Sequence, residues 1–271
     1  RINLFRQQGA VSAAIRILAD TIPEIEALNL PPVVSEFPEY RSGIILVTGE
    51  TGSGKSTTLA AILNRINHTR RSHIITLEDP IEYIYEPDQC IINQREIGKD
   101  TRSYADGLRS ILREDPDVIL VGEMRDFETI NAAVTAAETG HLVFSTLHTT
   151  GAAETIDRII DVYPPHSQGQ IRSQLANSVV GIISQTLVPT ADGKGRCAAL
   201  EILAATDAIR SMIREGKIFQ IPTAIATGKK NGMFTLDQDL ARLVNMGKIT
   251  NEVALTKCQD PNEYRRYLAV V

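Results

Sequence analysis

The segment Gly49-Glu50-Thr51-Gly52-Ser53-Gly54-Lys55-Ser56 constrains this chain more than any other. It fits G-x-x-x-x-G-K-S at every fixed position. Ahead of it runs the short apolar stretch Ile44-Ile45-Leu46-Val47, and behind it the helix-forming Thr57-Thr58-Leu59-Ala60-Ala61-Ile62-Leu63. Strand, glycine-rich loop and helix in that order make a phosphate cradle. The glycines let backbone N–H groups curl around the anion, and the helix start adds its partial positive charge. Gly49, Thr51, Gly52, Ser53, Gly54, Lys55, Ser56 and Thr57 are therefore the expected nucleotide contacts. Lys55 supplies a point charge to the β- and γ-phosphates, and the Ser56 hydroxyl supplies an oxygen ligand for Mg2+, so ATP with Mg2+ is the expected ligand pair. A chance glycine-rich turn would not carry this strand and helix.

Further apolar runs at 73–77, 118–121 and 142–145 alternate with helical stretches, the pattern of a mainly parallel sheet covered on both faces. The expected fold is α/β, a RecA-like P-loop NTPase domain with a helical C-terminal region. That region reads as helices over 167–185, 207–215, 219–227 and 236–246, with a polar loop at 189–196. Thr235 and Gln238 form a capping-box pattern. Residues 1–20 read as a hairpin around Gln7-Gln8-Gly9-Ala10, the remainder of an N-terminal α+β (PAS-like) domain. Pro23, Pro31, Pro32 and Pro38 mark residues 21–42 as a linker and hinge, with at most a short helix near 24–28. Residues 43–271 then form the ATPase domain. The chain opens inside a strand without an initiator Met, so upstream sequence is expected.

Hydrolysis needs a group that positions or deprotonates water and an acid near the metal. Glu78-Asp79-Pro80-Ile81-Glu82 lies at a strand's carboxyl end, where ligands gather in open α/β sheets. A second strand, Val118-Ile119-Leu120-Val121, empties into Gly122-Glu123. Glu82 and Glu123 are favoured for function, whereas Glu78 is as readily a surface salt bridge. His141 and His148 bracket the strand at 142–145, each alone better read as a structural histidine.

A net charge of −5 disfavours sequence-independent nucleic-acid binding. Three cysteines without C-x-x-C spacing indicate neither zinc nor disulfides, and no apolar run is long enough to span a bilayer. These features point to the cytoplasm, with any membrane association coming through partners. Two rival readings are a RecA-like nucleic-acid motor, which DNA-stimulated hydrolysis would reveal, and a nucleotide-binding module without turnover. The acidic balance opposes the first and the intact carboxylates oppose the second.

In this order, the loop at 49–56, the acidic box at 78–82, Gly122-Glu123-Met124-Arg125-Asp126, and the histidine box from Thr139-Gly140-His141 to Thr146-Leu147-His148-Thr149 resemble the secretion-superfamily ATPases of type II secretion and type IV pili. Ala208-Ile209-Arg210-Ser211-Met212-Ile213-Arg214-Glu215 is similar to the AIRNLIRE motif of the PilT-type retraction branch, with Ser211-Met212 in place of Asn-Leu. The tetracysteine zinc motif of assembly motors is missing. The resemblance implies Glu82 as general base, Glu123 as the acid acting on Mg2+ through water, and contributions from His141 and His148. It implies Arg1 and Arg16 as arginines that complete the site from the N-terminal domain. It further implies a homohexamer that powers pilus retraction at the inner face of the cell membrane, working on an inner-membrane platform protein. Pilus assembly or type II secretion is the alternative within the same superfamily.

Overall fold

The computed structural model describes residues 2–15, 17 and 21–268. Strands β1 (Ile2–Gln7) and β2 (Ala10–Ile15) pair antiparallel in full register, closed by Gln8 and Gly9, both at positive φ. Positive φ at both turn positions matches the twist of a tight hairpin. The hairpin is as expected, and its side chains are almost all exposed.

The phosphate-loop strand β3 (Gly43–Thr48) leads into α1 (Lys55–Thr69). Then come β4 (His73–Glu78), β5 (Ile91–Glu96), α2 (Tyr104–Ile111), β6 (Val118–Val121), α3 (Phe127–Glu138), β7 (Leu142–Leu147), α4 (Ala152–Asp161) and α5 (Gln168–Ser178). The chain continues through β8 (Val179–Pro189), β9 (Arg196–Ala204), α6 (Asp207–Glu215), α7 (Ile221–Thr227), α8 (Leu236–Asn245), α9 (Asn251–Leu255) and α10 (Pro261–Tyr267).

Seven strands form one sheet in the order β5-β4-β6-β7-β3-β8-β9, parallel throughout except for the β8–β9 pair. β3 lies inside it and is buried along its whole length, as its unbroken apolar run requires of a strand covered on both faces. Two apolar clusters flank the sheet. One joins α2, α3, α4, α5, α6 and α7 to one face, and the other packs α1 on the opposite face.

Two expectations need correction. Residues 179–185 continue no helix; they begin an eleven-residue strand, and β9 pairs with it where no strand was expected. Val179-Val180-Gly181-Ile182-Ile183 is a continuous apolar run, and periodicity alone cannot separate a two-sided strand from a buried helix. Its β-branched composition was the available signal. Residues 21–42 are likewise not a loose linker. Pro32–Glu39 forms a 3-10 helix, and Ile25, Val34 and Phe37 are buried in the α1-side cluster. Val34 and Phe37 stand three apart, one turn of such a helix, so they present one apolar side despite the prolines. Near residues 24–28 there is only a turn, with Leu28 N–H reaching the Glu24 carbonyl at 3.3 Å.

Candidate nucleotide site

All the parallel strands end on one edge of the sheet, and the acidic and loop residues collect there. The loop leaves β3 at Gly49 (φ 137°) and enters α1 through Gly54 (φ 89°), a conformation that costs Gly nothing. Thr51 and Gly52 are exposed at its tip, and Ser56 is exposed on the first turn of α1. Ser53 is buried, and its hydroxyl makes no hydrogen bond among the described residues. Lys55 is buried, its ammonium donating to the carbonyls of Gly49 at 2.6 Å and Glu50 at 2.8 Å. Burial lowers its pKa, opposed by the negative charges of Glu123 and Glu82. Both carboxylates are therefore within electrostatic reach of the lysine. The Thr57 hydroxyl bonds the Tyr83 hydroxyl at 3.0 Å, tying α1 to the acidic box.

The three candidate acids have different surroundings. Glu78 ends β4, and its Oε1 accepts from the Thr76 hydroxyl at 2.6 Å and from Gln94 Nε2 at 3.2 Å. Burial raises its pKa against those bonds. It makes no salt bridge among the described residues, and its Oε1 is engaged by neighbouring strand side chains. Glu123, on the far side of Gly122 from β6, has a side chain 16% exposed and is gripped through Oε1 by Arg125 Nε at 2.5 Å and His148 Nε2 at 2.9 Å. The bond to Glu123 raises the Arg125 pKa further. Glu82 makes no side-chain hydrogen bond or ion pair among the described residues, which leaves its carboxylate open within electrostatic reach of Lys55.

His148 follows β7 and reaches Glu123, so it belongs to the site. His141 precedes β7, where its Nδ1 lies 2.9 Å from the Ala136 carbonyl and its own carbonyl accepts from Gly43 N–H. Six residues of strand at about 3.3 Å each separate the two histidines, roughly 20 Å. Within one chain His141 cannot reach the loop, contrary to the expectation that both histidines contribute. Arg1 and Arg16 lie outside the described residues.

Sequence reasoning missed Gln185 and Tyr104. Gln185 lies on β8, misread as helix, and its amide contacts the loop. The Tyr104 hydroxyl rests against Gly122, where a Cβ would come within 2.9 Å of it. Burial first, then Asp79 and Glu123, raise its pKa. Asp126, in the acidic strand-end motif, is an N-cap: it accepts from the Thr129 N–H at 2.9 Å and starts α3. A cleft of about 1150 Å³ lies elsewhere, between residues 29–40, 229–234 and α8. It holds none of these charged groups.

No three His, Cys, Asp or Glu side chains among the described residues are grouped to hold a metal. Mg2+ asks for few protein ligands, because waters and phosphate oxygens complete its shell. An exposed Ser56 hydroxyl and the Glu123 carboxylate suit that demand.

A parallel sheet whose interior strand feeds a Lys-Ser-ended glycine loop into a helix, with acids on neighbouring strand ends, defines a P-loop NTPase of the RecA-like kind. Within that class the chain belongs to the type II/IV secretion system protein family, whose model matches residues 32–231. It is 52% identical over 260 residues to the twitching motility protein of Neisseria gonorrhoeae, covering 96% of this chain and 70% of that one. It is 50% identical over 264 residues to the type IV pilus retraction ATPase PilT of Pseudomonas aeruginosa, covering 97% and 76%. Among solved structures, the pilus retraction motor PilT with bound ADP superposes with a TM-score of 0.92 at 50% identity, covering 98% of this chain and 75% of that one.

Proposed function

We propose that this chain is an ATP-hydrolysing motor that powers type IV pilus retraction. The observation that carries the hydrolytic reading is the division of labour among the acids. Glu78 is bonded by Thr76 of its own strand and Gln94 of β5, and Glu123 is held by Arg125 and His148. Glu82 has no side-chain partner among the described residues and lies within electrostatic reach of Lys55. Glu82 is the general base, taking the proton of the attacking water. Lys55 holds the β- and γ-phosphate charge while the loop N–H groups orient the chain of phosphates. Ser56 and Glu123 would be the residues that hold Mg2+, which when bound would supply positive charge to the phosphate oxygens. His148 senses the γ-phosphate, a role its contact with Glu123 supports.

The likeness to pilus retraction proteins supports retraction as the work done, and a homohexamer as the working form. Any domain movement would carry residues 21–42 with the ATPase unit, because their side chains are part of its core. Among the described residues no helix is long and apolar enough to cross a membrane. Attachment at the inner face of the cell membrane through a platform protein fits that. No nucleic-acid partner is proposed.

Steady-state ATPase measurements on the chain and on Glu82→Gln, each sized by chromatography with light scattering, test the reading. Turnover by the wild type and its loss in a variant that still assembles and still binds nucleotide is the expected result. Normal turnover by Glu82→Gln removes Glu82 as the base. A wild type that forms no ring under any nucleotide condition removes the hexameric motor.

A further inference from the structure

A side chain from the second half of the chain sits inside the phosphate loop. Gln185 is 5% exposed, and both ends of its carboxamide are used. Nε2 donates to the Ser53 carbonyl at 2.6 Å, and Oε1 accepts from the Thr58 hydroxyl at 2.8 Å. One partner is in the loop and the other is on the first turn of α1, so a single amide spans the junction that presents N–H groups to a phosphate.

The glycines record the same fit. A Cβ on Gly49 would overlap the Gln185 carbonyl oxygen, and one on Gly54 would stand 2.7 Å from Gln185 Nε2. Two loop positions thus lack a side chain where Gln185 fills the space behind them. A neutral carboxamide offers a donor and an acceptor together, while an ionised carboxylate of the same length only accepts. Lys55 secures the other side of the loop through the Gly49 and Glu50 carbonyls.

We propose that Gln185 is a positioning residue of the nucleotide site, moulding residues 49–54 so that their N–H groups converge on a phosphate. This rests on the reading of the loop as the ATP site. Gln185 touches no substrate atom itself. The N–H groups of such a loop engage phosphates common to ATP and ADP, in the ground state and the transition state alike. Loosening them removes uniform binding, which raises KM and leaves kcat.

The test uses the full chain with Gln185→Leu and Gln185→Glu. It reads equilibrium binding of fluorescent N-methylanthraniloyl-ADP, KM and kcat for ATP, and the melting temperature. In both variants the dissociation constant for the ADP probe and the KM for ATP are expected to rise together by about tenfold or more, with kcat within about twofold of wild type. Gln185→Leu, which introduces no buried charge, is expected to melt closer to wild type than Gln185→Glu, whose carboxylate is buried against the Ser53 carbonyl.

A variant that melts like wild type and binds the probe with wild-type affinity overturns the proposal. So does a loss confined to kcat, which would put Gln185 in the chemistry. If neither variant folds, Gln185 serves the fold rather than the loop and the proposal also falls. If the wild type itself fails to bind the probe, the failure belongs to the reading of the loop as an ATP site.

Discussion

Replacing Phe37 by Ala asks whether residues 21–42 are part of the folded core. Phe37 is 2% exposed and its ring points at Gly181 of β8, where a Cβ would come within 2.6 Å of the ring. Removing the ring forfeits about 2–3 kcal/mol of transfer free energy, and the cavity left behind adds to it, for a total of about 3–5 kcal/mol. The upper half of that range is expected. Glycine at 181 has no side chain that can move into the space, so relaxation is limited. Urea unfolding supplies the assay, with the midpoint falling at unchanged slope. A second Ala at Gly181 sharpens it. Gly181→Ala alone should destabilise by overpacking against the ring, whereas in the Phe37→Ala background it should refill part of the cavity. A coupling of about 1 kcal/mol or more is therefore expected. A loss under about 1 kcal/mol for Phe37→Ala, or strict additivity with Gly181→Ala, would refute the packing argument and restore the linker reading.

Two further substitutions probe buried charge and the helical region. The Glu201 carboxylate accepts from Ala152 N–H at 2.7 Å at the start of α4, yet burial raises its pKa above the ordinary 4.5. The folded chain therefore binds this proton more tightly than the unfolded chain, and the stability it contributes at low pH is lost as pH climbs through the raised value. Glu201→Gln, which keeps an acceptor for Ala152, should flatten that slope and melt above wild type at pH 8; parallel melting-temperature curves against pH would refute this. Arg210→Ala removes bonds from Nη1 to the Ala176 and Asn177 carbonyls at 2.6 and 2.9 Å, which close the last turn of α5. A loss of about 1–3 kcal/mol, with faster amide exchange at that corner and unchanged nucleotide affinity, is expected. Unchanged exchange there would show that Arg210 serves a surface role only.

The parts of the fold that sequence patterning could reach were those with one-sided periodicity or punctuation. β3, the loop and α1 follow from an apolar run, glycines and a helix former. Helix α6 and the start of α8 follow from their amphipathic spacing and from the Thr235–Gln238 capping box, whose two bonds are both present. What escaped was a junction without a loop. Helix α5 ends at Ser178 and β8 begins at Val179, so neither β8 nor its partner β9 announced itself, and Gln185 was hidden with it. The 3-10 helix at Pro32–Glu39 escaped because its prolines signalled a break more loudly than Val34 and Phe37 signalled a face. In the candidate site, Glu78, Glu82 and Glu123 all stood out as acids at strand ends, but the sequence could not show that Glu78 bonds its neighbouring strand side chains. His141 could not be separated from His148 by sequence, since only strand direction places one at the loop and the other at the opposite end.

The bond between Gln185 and Ser53 joins residues 132 positions apart. During synthesis, at about 5–20 residues per second, roughly 7–26 s pass between the making of the loop and the arrival of its brace. A nascent chain released or stalled before β8 would carry the whole glycine motif without the side chain that shapes it. Nucleotide can then favour the completed fold only late, after β8 has slotted in beside β3, so the ligand acts as a seal on finished molecules rather than as a nucleus for growing ones.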